Sequence, residues 1–249
     1  MSPFDLIIDL HQGTERQGPG SQAATLKALA CIDLPKGQPL TMADIGCGTG
    51  GQTITLAQQL EGQITAVDLM PPFLEELNKR AKALGLAGKI TTLECSMTEL
   101  PFEPESLDLI WSEGAIYNIG FAAGIQRWGD YLKPGGYLAV SEITWISETR
   151  PQEIEDYWNQ AYPKIDRASG KIKVLEDQGY SLAGYFYLAP DDWLDTYYHP
   201  LETSFPAFLE RQAHSKMAQQ VIEEYQKEIE LYRRFKAYFS YGFYIAKKY

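Results

Sequence analysis

The run Leu40-Thr41-Met42-Ala43-Asp44-Ile45 passes directly into Gly46-Cys47-Gly48-Thr49-Gly50-Gly51, and this junction limits the fold more than any other stretch of the chain. A short apolar run that stops at glycines reads as a buried strand. Behind it, Ile54, Leu56, Ala57 and Leu60 give QTITLAQQL one apolar helical face. Glycines at such a corner let the backbone turn sharply and let a ligand approach with no Cβ in the way. The helix start behind them presents free N–H groups.

The same alternation recurs downstream. Residues 63–67 read as a second strand, and Pro71-Pro72 opens a helix, since proline is tolerated in a first turn. Phe73, Leu74, Leu77, Ala81 and Leu84 follow a 3.6 period, with Gly85 as the residue that ends the helix. Further strands are expected at 89–94, 107–112 and 137–143, with a helix over 121–132 and a turn at Lys133-Pro134-Gly135-Gly136 before the last of these. Ser21 is expected to cap a helix running to about residue 32. Strand alternating with helix predicts an α/β fold, a mostly parallel sheet with helices on both faces. The later third is more polar and partly helical, with a strand at 180–188, a helix start at Asp191-Asp192-Trp193, a long helix marked by Met217, Val221, Tyr225, Ile229, Tyr232 and Phe235, and a last strand at 241–247. No linker rich in Gly, Ser or Pro divides the chain, so residues 1–249 read as one domain, with 1–35 as an N-terminal cover and 147–215 as a helical elaboration.

Composition narrows the partners. The chain of 249 residues carries 33 acidic and 22 basic side chains, a net charge of −11. Such a balance argues against nucleic-acid backbones and anionic membrane surfaces, which call for a basic face. Cys31, Cys47 and Cys95 fit no CxxC spacing, so neither a metal centre nor a disulfide framework is expected. The first residues, MSPFDLIIDLHQGTERQ, lack the basic start and apolar core of a leader, and no stretch approaches the ~18 apolar residues of a membrane span. A cytoplasmic protein acting on a small molecule is the expectation; its oligomeric state is open.

Two cofactors fit the glycine loop. Gly46, Gly48 and Gly51 satisfy the G-x-G-x-x-G pattern of dinucleotide binders, and Asp68 ends the next strand, where a carboxylate accepts ribose hydroxyls. Asp44 favours the other reading, S-adenosylmethionine (SAM): an anion beside the loop suits an ammonium and a sulfonium and repels a pyrophosphate.

With Asp44, Gly46, Gly48 and Gly50 in the order acid-x-G-x-G-x-G, the chain resembles the class I SAM-dependent methyltransferases. Ser106-Leu107-Asp108-Leu109-Ile110-Trp111-Ser112-Glu113, Leu100-Pro101-Phe102 and Leu132-Lys133-Pro134-Gly135-Gly136 extend the likeness over about residues 40–143. It is closest to small-molecule enzymes of the ubiquinone and menaquinone biosynthesis kind. The resemblance implies a Rossmann-like seven-stranded sheet with an antiparallel last strand, helical cap elements, and methyl transfer from SAM to a small acceptor by in-line displacement. It implies a cofactor site at Asp44, Gly46, Cys47, Gly48, Gly50, Asp68 and, where the fourth strand ends, Glu113. Where the family commonly has Gly-Asp-Ala near the adenine, this chain has Cys95, Ser96 and Met97, so Ser96, Met97 and Leu69 are the expected adenine contacts. Related enzymes close a polar N-terminal segment over the cofactor, which places Arg16 and Gly18 there, Arg16 facing the methionine carboxylate.

Tyr117 after the fourth strand and His199 in the C-terminal elaboration are the candidate catalytic residues, His199 as a base because imidazole titrates near neutrality. Glu142 and Trp145 are candidates for an acceptor pocket, and Trp193, Tyr197, Tyr198, Phe205 and Phe208 for its apolar wall. Two other functions use the same loop: a SAM-binding sensor without transfer activity, and a nicotinamide-dependent oxidoreductase.

Overall fold

The structure, a computed structural model, describes residues 3–35 and 37–249. Its strands are β1 (Leu40–Ile45), β2 (Gly62–Asp68), β3 (Ile90–Glu94), β4 (Leu107–Glu113), β5 (Leu132–Trp145), β6 (Asp166–Arg167), β7 (Tyr180–Tyr187) and β8 (Phe239–Lys248). They form one sheet in the order β3-β2-β1-β4-β5-β8-β7, with the two-residue β6 against the end of β5. β1 to β5 pair in parallel, and β8 lies antiparallel between β5 and β7. The antiparallel last strand is the one the resemblance implied; the short β6 is additional.

The helices are α1 (Pro3–His11), α2 (Gln22–Leu29), α3 (Gly51–Gln59), α4 (Pro71–Ala83), α5 (Phe121–Gly129), α6 (Gln152–Ala161), α7 (Ala168–Asp177), α8 (Asp191–Trp193), α9 (His199–Arg211) and α10 (Lys216–Phe235). A π-helical turn, Leu194–Tyr198, joins α8 to α9. Among the described residues no helix is long and apolar enough to cross a membrane.

Both faces of the sheet are covered, and the strand sequences show why. Met42, Leu109, Trp111, Ala139, Phe243 and Ile245 pack into one core, and their neighbours Ala43, Ile110, Leu138, Val140, Tyr244 and Ala246 into the other. Period-two alternation with apolar residues on both sides requires helices on both sides. Leu56, Leu74 and Leu77 of α3 and α4 fill the first core, and Ile125, Trp128 and Leu175 of α5 and α7 fill the second.

Several expectations shift at their edges. Ser21 caps α2 by accepting from the Ala24 N–H at 3.0 Å, but the helix ends at Leu29. Lys133-Pro134-Gly135-Gly136 lies inside β5: pairing steps from Leu107 opposite Leu132 to Leu109 opposite Tyr137, so the expected turn is a bulge. The N-terminal cover begins with a helix packed against the cap. Leu6 and Leu10, one turn apart on α1, are buried against the cap that α9 and α10 supply. Asp9 fixes that docking, accepting from Arg211 Nε at 3.1 Å and Gln212 Nε2 at 2.9 Å. Met1 and Ser2 of the 1–35 cover lie outside the described residues.

Candidate active site

A cavity of about 460 Å³ opens where β1, β2 and β4 end. Gly46, Cys47 and Gly48 form one wall, and Asp68 with Leu69 another. Gly46 has φ +76°, and a Cβ there would collide with the Cβ of Ala115, so only glycine lets the two strand ends close on the cavity. The Gly46 and Cys47 N–H groups donate to Val67 O at 2.8 and 2.9 Å, which locks the loop to β2. Asp68 Oδ2 accepts from Gly48 N at 2.8 Å and Oδ1 from Met70 N at 3.0 Å. Each oxygen retains lone-pair capacity toward the cavity. Burial raises the Asp68 pKa while these N–H groups pull it back.

Asp44 and Gly50 do not line this cavity. Asp44 is fully buried beneath the loop, where it accepts from Thr53 Oγ1 at 2.5 Å and Gln52 Nε2 at 3.3 Å. Burial pushes its pKa up to about 7. This corrects the expectation of an anion beside the ligand: Asp44 braces the loop from behind and ties it to α3. Gly50 is likewise structural; a Cβ there would run into Leu77 of α4.

The N-terminal segment closes the opposite side. Arg16 and Gly18 line the cavity. Arg16 Nη1 donates to Glu113 Oε2 at 2.7 Å, and its Nη2 to Thr25 Oγ1 at 3.1 Å. Glu113 is held further by Thr25 Oγ1 at 2.7 Å and Trp111 Nε1 at 2.9 Å. Arg16 therefore fixes the cover to β4, and guanidinium donors remain for an anionic ligand group. Gln17 was not anticipated. Its Oε1 accepts from Thr49 N at 2.8 Å and its Nε2 donates to Thr49 Oγ1 at 3.1 Å, stitching the cover to the glycine loop. Ser96 and Met97 line the far side, with Leu69, 56% exposed, at the rim.

A second cavity of about 370 Å³ adjoins the first, sharing Gly18, Met70, Phe73, Gly114 and Tyr117 with it. Its remaining walls come from α1, α6, the 193–197 region, α10 and β8. Tyr117 thus stands between the two spaces, on a 3₁₀ turn, Ile116–Asn118. Trp193 and Tyr197 of the expected aromatic wall line it; Tyr198, Phe205 and Phe208 do not. His199 is exposed and lines neither cavity, so the structure does not bring it to the site. Glu142 and Trp145 are also absent from both walls. Glu142 is buried against Lys171 at 3.1 Å, a structural pair. The α10 helix, beyond the expected 147–215 elaboration, contributes Tyr225 and Glu228. Glu228 carried a readable signal: with Val221, Tyr225 and Tyr232 it falls on one apolar stripe of that helix. Trp158 did too, through the Ile154, Tyr157, Trp158, Ala161 spacing of α6.

Residues 42–136 match the family of methyltransferase domains. The chain is 24% identical over 163 residues to phosphoethanolamine N-methyltransferase 1 of Arabidopsis thaliana, covering 65% of this chain and 32% of that protein. It is 28% identical over 139 residues to dimethylglycine N-methyltransferase of Parasynechococcus marenigrum, covering 55% and 50%. It spans about a third of the length of the plant relatives it matches. The crystal structure of a SAM-dependent methyltransferase from Geobacter sulfurreducens, in complex with S-adenosylhomocysteine, superposes with a TM-score of 0.83 at 17% identity over 98% of both chains. Residues 42–136 thus match a methyltransferase domain, and the fold around them is that of SAM-dependent methyltransferases of known structure.

Proposed function

We propose that the protein binds SAM in the first cavity and transfers its methyl group to a small molecule held in the second. The observation that carries this reading is the meeting of the two cavities at Gly114 and Tyr117, beside the end of β4. The residues present fit the cofactor: Asp68 offers two acceptors for a ribose diol, Arg16 offers donors for a carboxylate, and the glycine corner leaves room for adenosine. When bound, SAM supplies a methyl group already activated on a sulfonium.

The chain's own residues then position, desolvate and orient. Tyr117 presents its ring at the junction, the place for contact with a developing or departing positive charge. The cover and cap exclude water. We read residues 1–249 as one such domain, with 1–35 and 147–215 folded over the sheet edge.

Calorimetric titration with S-adenosylhomocysteine and with NAD tests the reading. Binding of the first and not the second is expected, and binding of NAD alone would overturn it. Asp68→Ala loses hydrogen bonds to a charged group, a deficit of about 1.5–3 kcal/mol. S-adenosylhomocysteine should then bind roughly ten- to a hundredfold more weakly with circular dichroism unchanged. Undiminished affinity would remove Asp68 from the site.

A further inference from the structure

We propose that the second cavity takes a small, unphosphorylated amine as the methyl acceptor, with its nitrogen held by Glu228 inside a cage of aromatic rings. The inference rests on the methyl-transfer reading and names the substrate class that this chain's own residues select.

Glu228 is the charged side chain among the described residues lining the cavity, and neither lysine nor arginine lines it. Among the described residues its hydrogen-bond partner is neutral: Tyr198 OH donates to Oε1 at 2.8 Å. Among the described ion pairs Glu228 has none, although lysines and arginines elsewhere on the cap do pair. Burial raises the Glu228 pKa above the ordinary carboxylate value, so its charged form is costly until a ligand brings a cation beside it. The walls around it are rings: Tyr117, Tyr157, Trp158, Tyr197, Tyr225 and Tyr241. Burial raises the hydroxyl pKa of Tyr157, Tyr197, Tyr225 and Tyr241, and Glu228 adds to the rise in each, which places its carboxyl group near these rings. Aromatic faces around one anion are the arrangement that receives an alkylated ammonium.

Two further atoms point to a ligand. His11 Nδ1 and Trp158 Nε1 are buried without a hydrogen-bond partner, and both residues line this cavity. Burial lowers the His11 pKa to about 4, so its imidazole is neutral and offers polarity without charge. The indole N–H calls for an acceptor oxygen, which a hydroxyl or carbonyl on the amine would satisfy. A phosphate or diphosphate would meet Glu228 and no cation, so phosphorylated acceptors are disfavoured by like-charge repulsion.

The step balances without another reactant. The lone pair of a neutral amine nitrogen forms the new N–C bond as the C–S bond breaks, and the bonding pair stays on sulfur as the thioether. Unit positive charge thereby moves from sulfur to nitrogen, toward Glu228, which is stabilisation that grows along the reaction. Where the nitrogen carries hydrogen, the proton shed by the product passes to the Glu228 carboxylate and on to water.

Protein loaded with S-adenosylhomocysteine is titrated with tetramethylammonium and with tert-butanol, its near-isosteric neutral counterpart, following Trp158 and Trp193 fluorescence. Tetramethylammonium should bind at least tenfold more tightly, and Glu228→Gln, which preserves the Tyr198 contact, should abolish the difference. Glu228→Asp should retain part of it. Equal binding of the two probes, or a preference that survives in folded Glu228→Gln, overturns the proposal. Transfer of labelled methyl from SAM is then measured across amines, phenols, thiols and carboxylic acids, with ethanolamine and phosphoethanolamine as a pair. Label in an unphosphorylated amine supports the inference. Label only in a phenol, thiol or acid, or a tenfold preference for the phosphorylated partner, overturns it and leaves methyl transfer standing. Failure to bind S-adenosylhomocysteine at all would instead overturn the methyl-transfer reading beneath it.

Discussion

Asp44 owes its chemistry to depth. It stands next to last in β1, a parallel strand paired on both sides, has no solvent exposure, and accepts side-chain hydrogen bonds from Thr53 and Gln52. Desolvation outweighs those two hydrogen bonds and lifts its pKa from 3.8 to about 7. An acid with a folded pKa above its unfolded value binds its proton more tightly when folded. Its stability contribution is therefore most favourable below about pH 4 and is lost as pH rises through 7. Asp44→Asn keeps an acceptor for Gln52 and removes the charge. Relative to the parent, the variant should gain roughly 2–3 kcal/mol between pH 5 and pH 8. Urea unfolding of both proteins at the two pH values measures this. A difference that stays constant with pH would show that Asp44 is ionised in the folded protein at little cost. The residue that most resembles a ligand contact in sequence is thus a brace, because a motif position does not report whether its side chain faces the ligand or the helix behind the loop.

Among the elements, α1 depends most on distant parts of the chain. His11, at its end, sits edge-on to Tyr225 with Nε2 2.9 Å from the hydroxyl, and stacks parallel to Tyr197 at 6.0 Å. Both tyrosines are neutral, and Glu228 lines the same cavity. Burial depresses the His11 pKa from 6.5 to about 4, so the folded state resists protonation. The stability it contributes is full above pH 6.5 and is lost as pH falls toward 4, by roughly 3 kcal/mol in all. Amide exchange in residues 3–11 should therefore accelerate between pH 7 and pH 5 beyond the intrinsic chemical trend, and His11→Gln should remove that excess. The elements legible in sequence were those carrying their own period. β1 to β4 alternate or run apolar between glycines, and α4 repeats its apolar residues across a proline start. α1 carries Phe4, Leu6, Ile7, Ile8 and Leu10 in nine residues, too apolar all round to mark one face, and the surface that orders it lies some 200 residues away in α9 and α10. The π-helical turn that brings Tyr197 to the cavity has no local signal at all. The first cavity was therefore readable and the second mostly was not: one is built by consecutive strand ends, the other by side chains that only tertiary packing brings together.

For the molecule as a whole, the cover matters because it is a wall of both cavities. Gln17 and Gly18 line each of them. The segment is tied down by Gln17 and the Thr14 and Glu15 carbonyls at Thr49, by Arg80 at the Glu15 carbonyl, and by Arg16 at Glu113. These ties engage the glycine loop, α4 and β4, the same three places that enclose the first cavity. A ligand in that cavity would rest against Arg16, Gln17 and Gly18 of the cover, so opening the cover would remove one of its walls. Occupancy of one cavity and order in the cover are therefore linked by mass action. At a hundred times its dissociation constant, S-adenosylhomocysteine stabilises the closed form by about 2.7 kcal/mol. Arg16 is 8% exposed and is a trypsin site only when the segment opens. Under conditions where closing outpaces cleavage, the rate follows the open population. Cleavage after Arg16 should then slow by up to about a hundredfold with S-adenosylhomocysteine at that concentration, by the same linkage. Cleavage after Lys236, at the far end of α10 and outside both cavities, serves as the internal control and should slow far less. Equal protection at the two sites would mean that the ligand stabilises the molecule globally and that the N-terminal segment does not act as its cover.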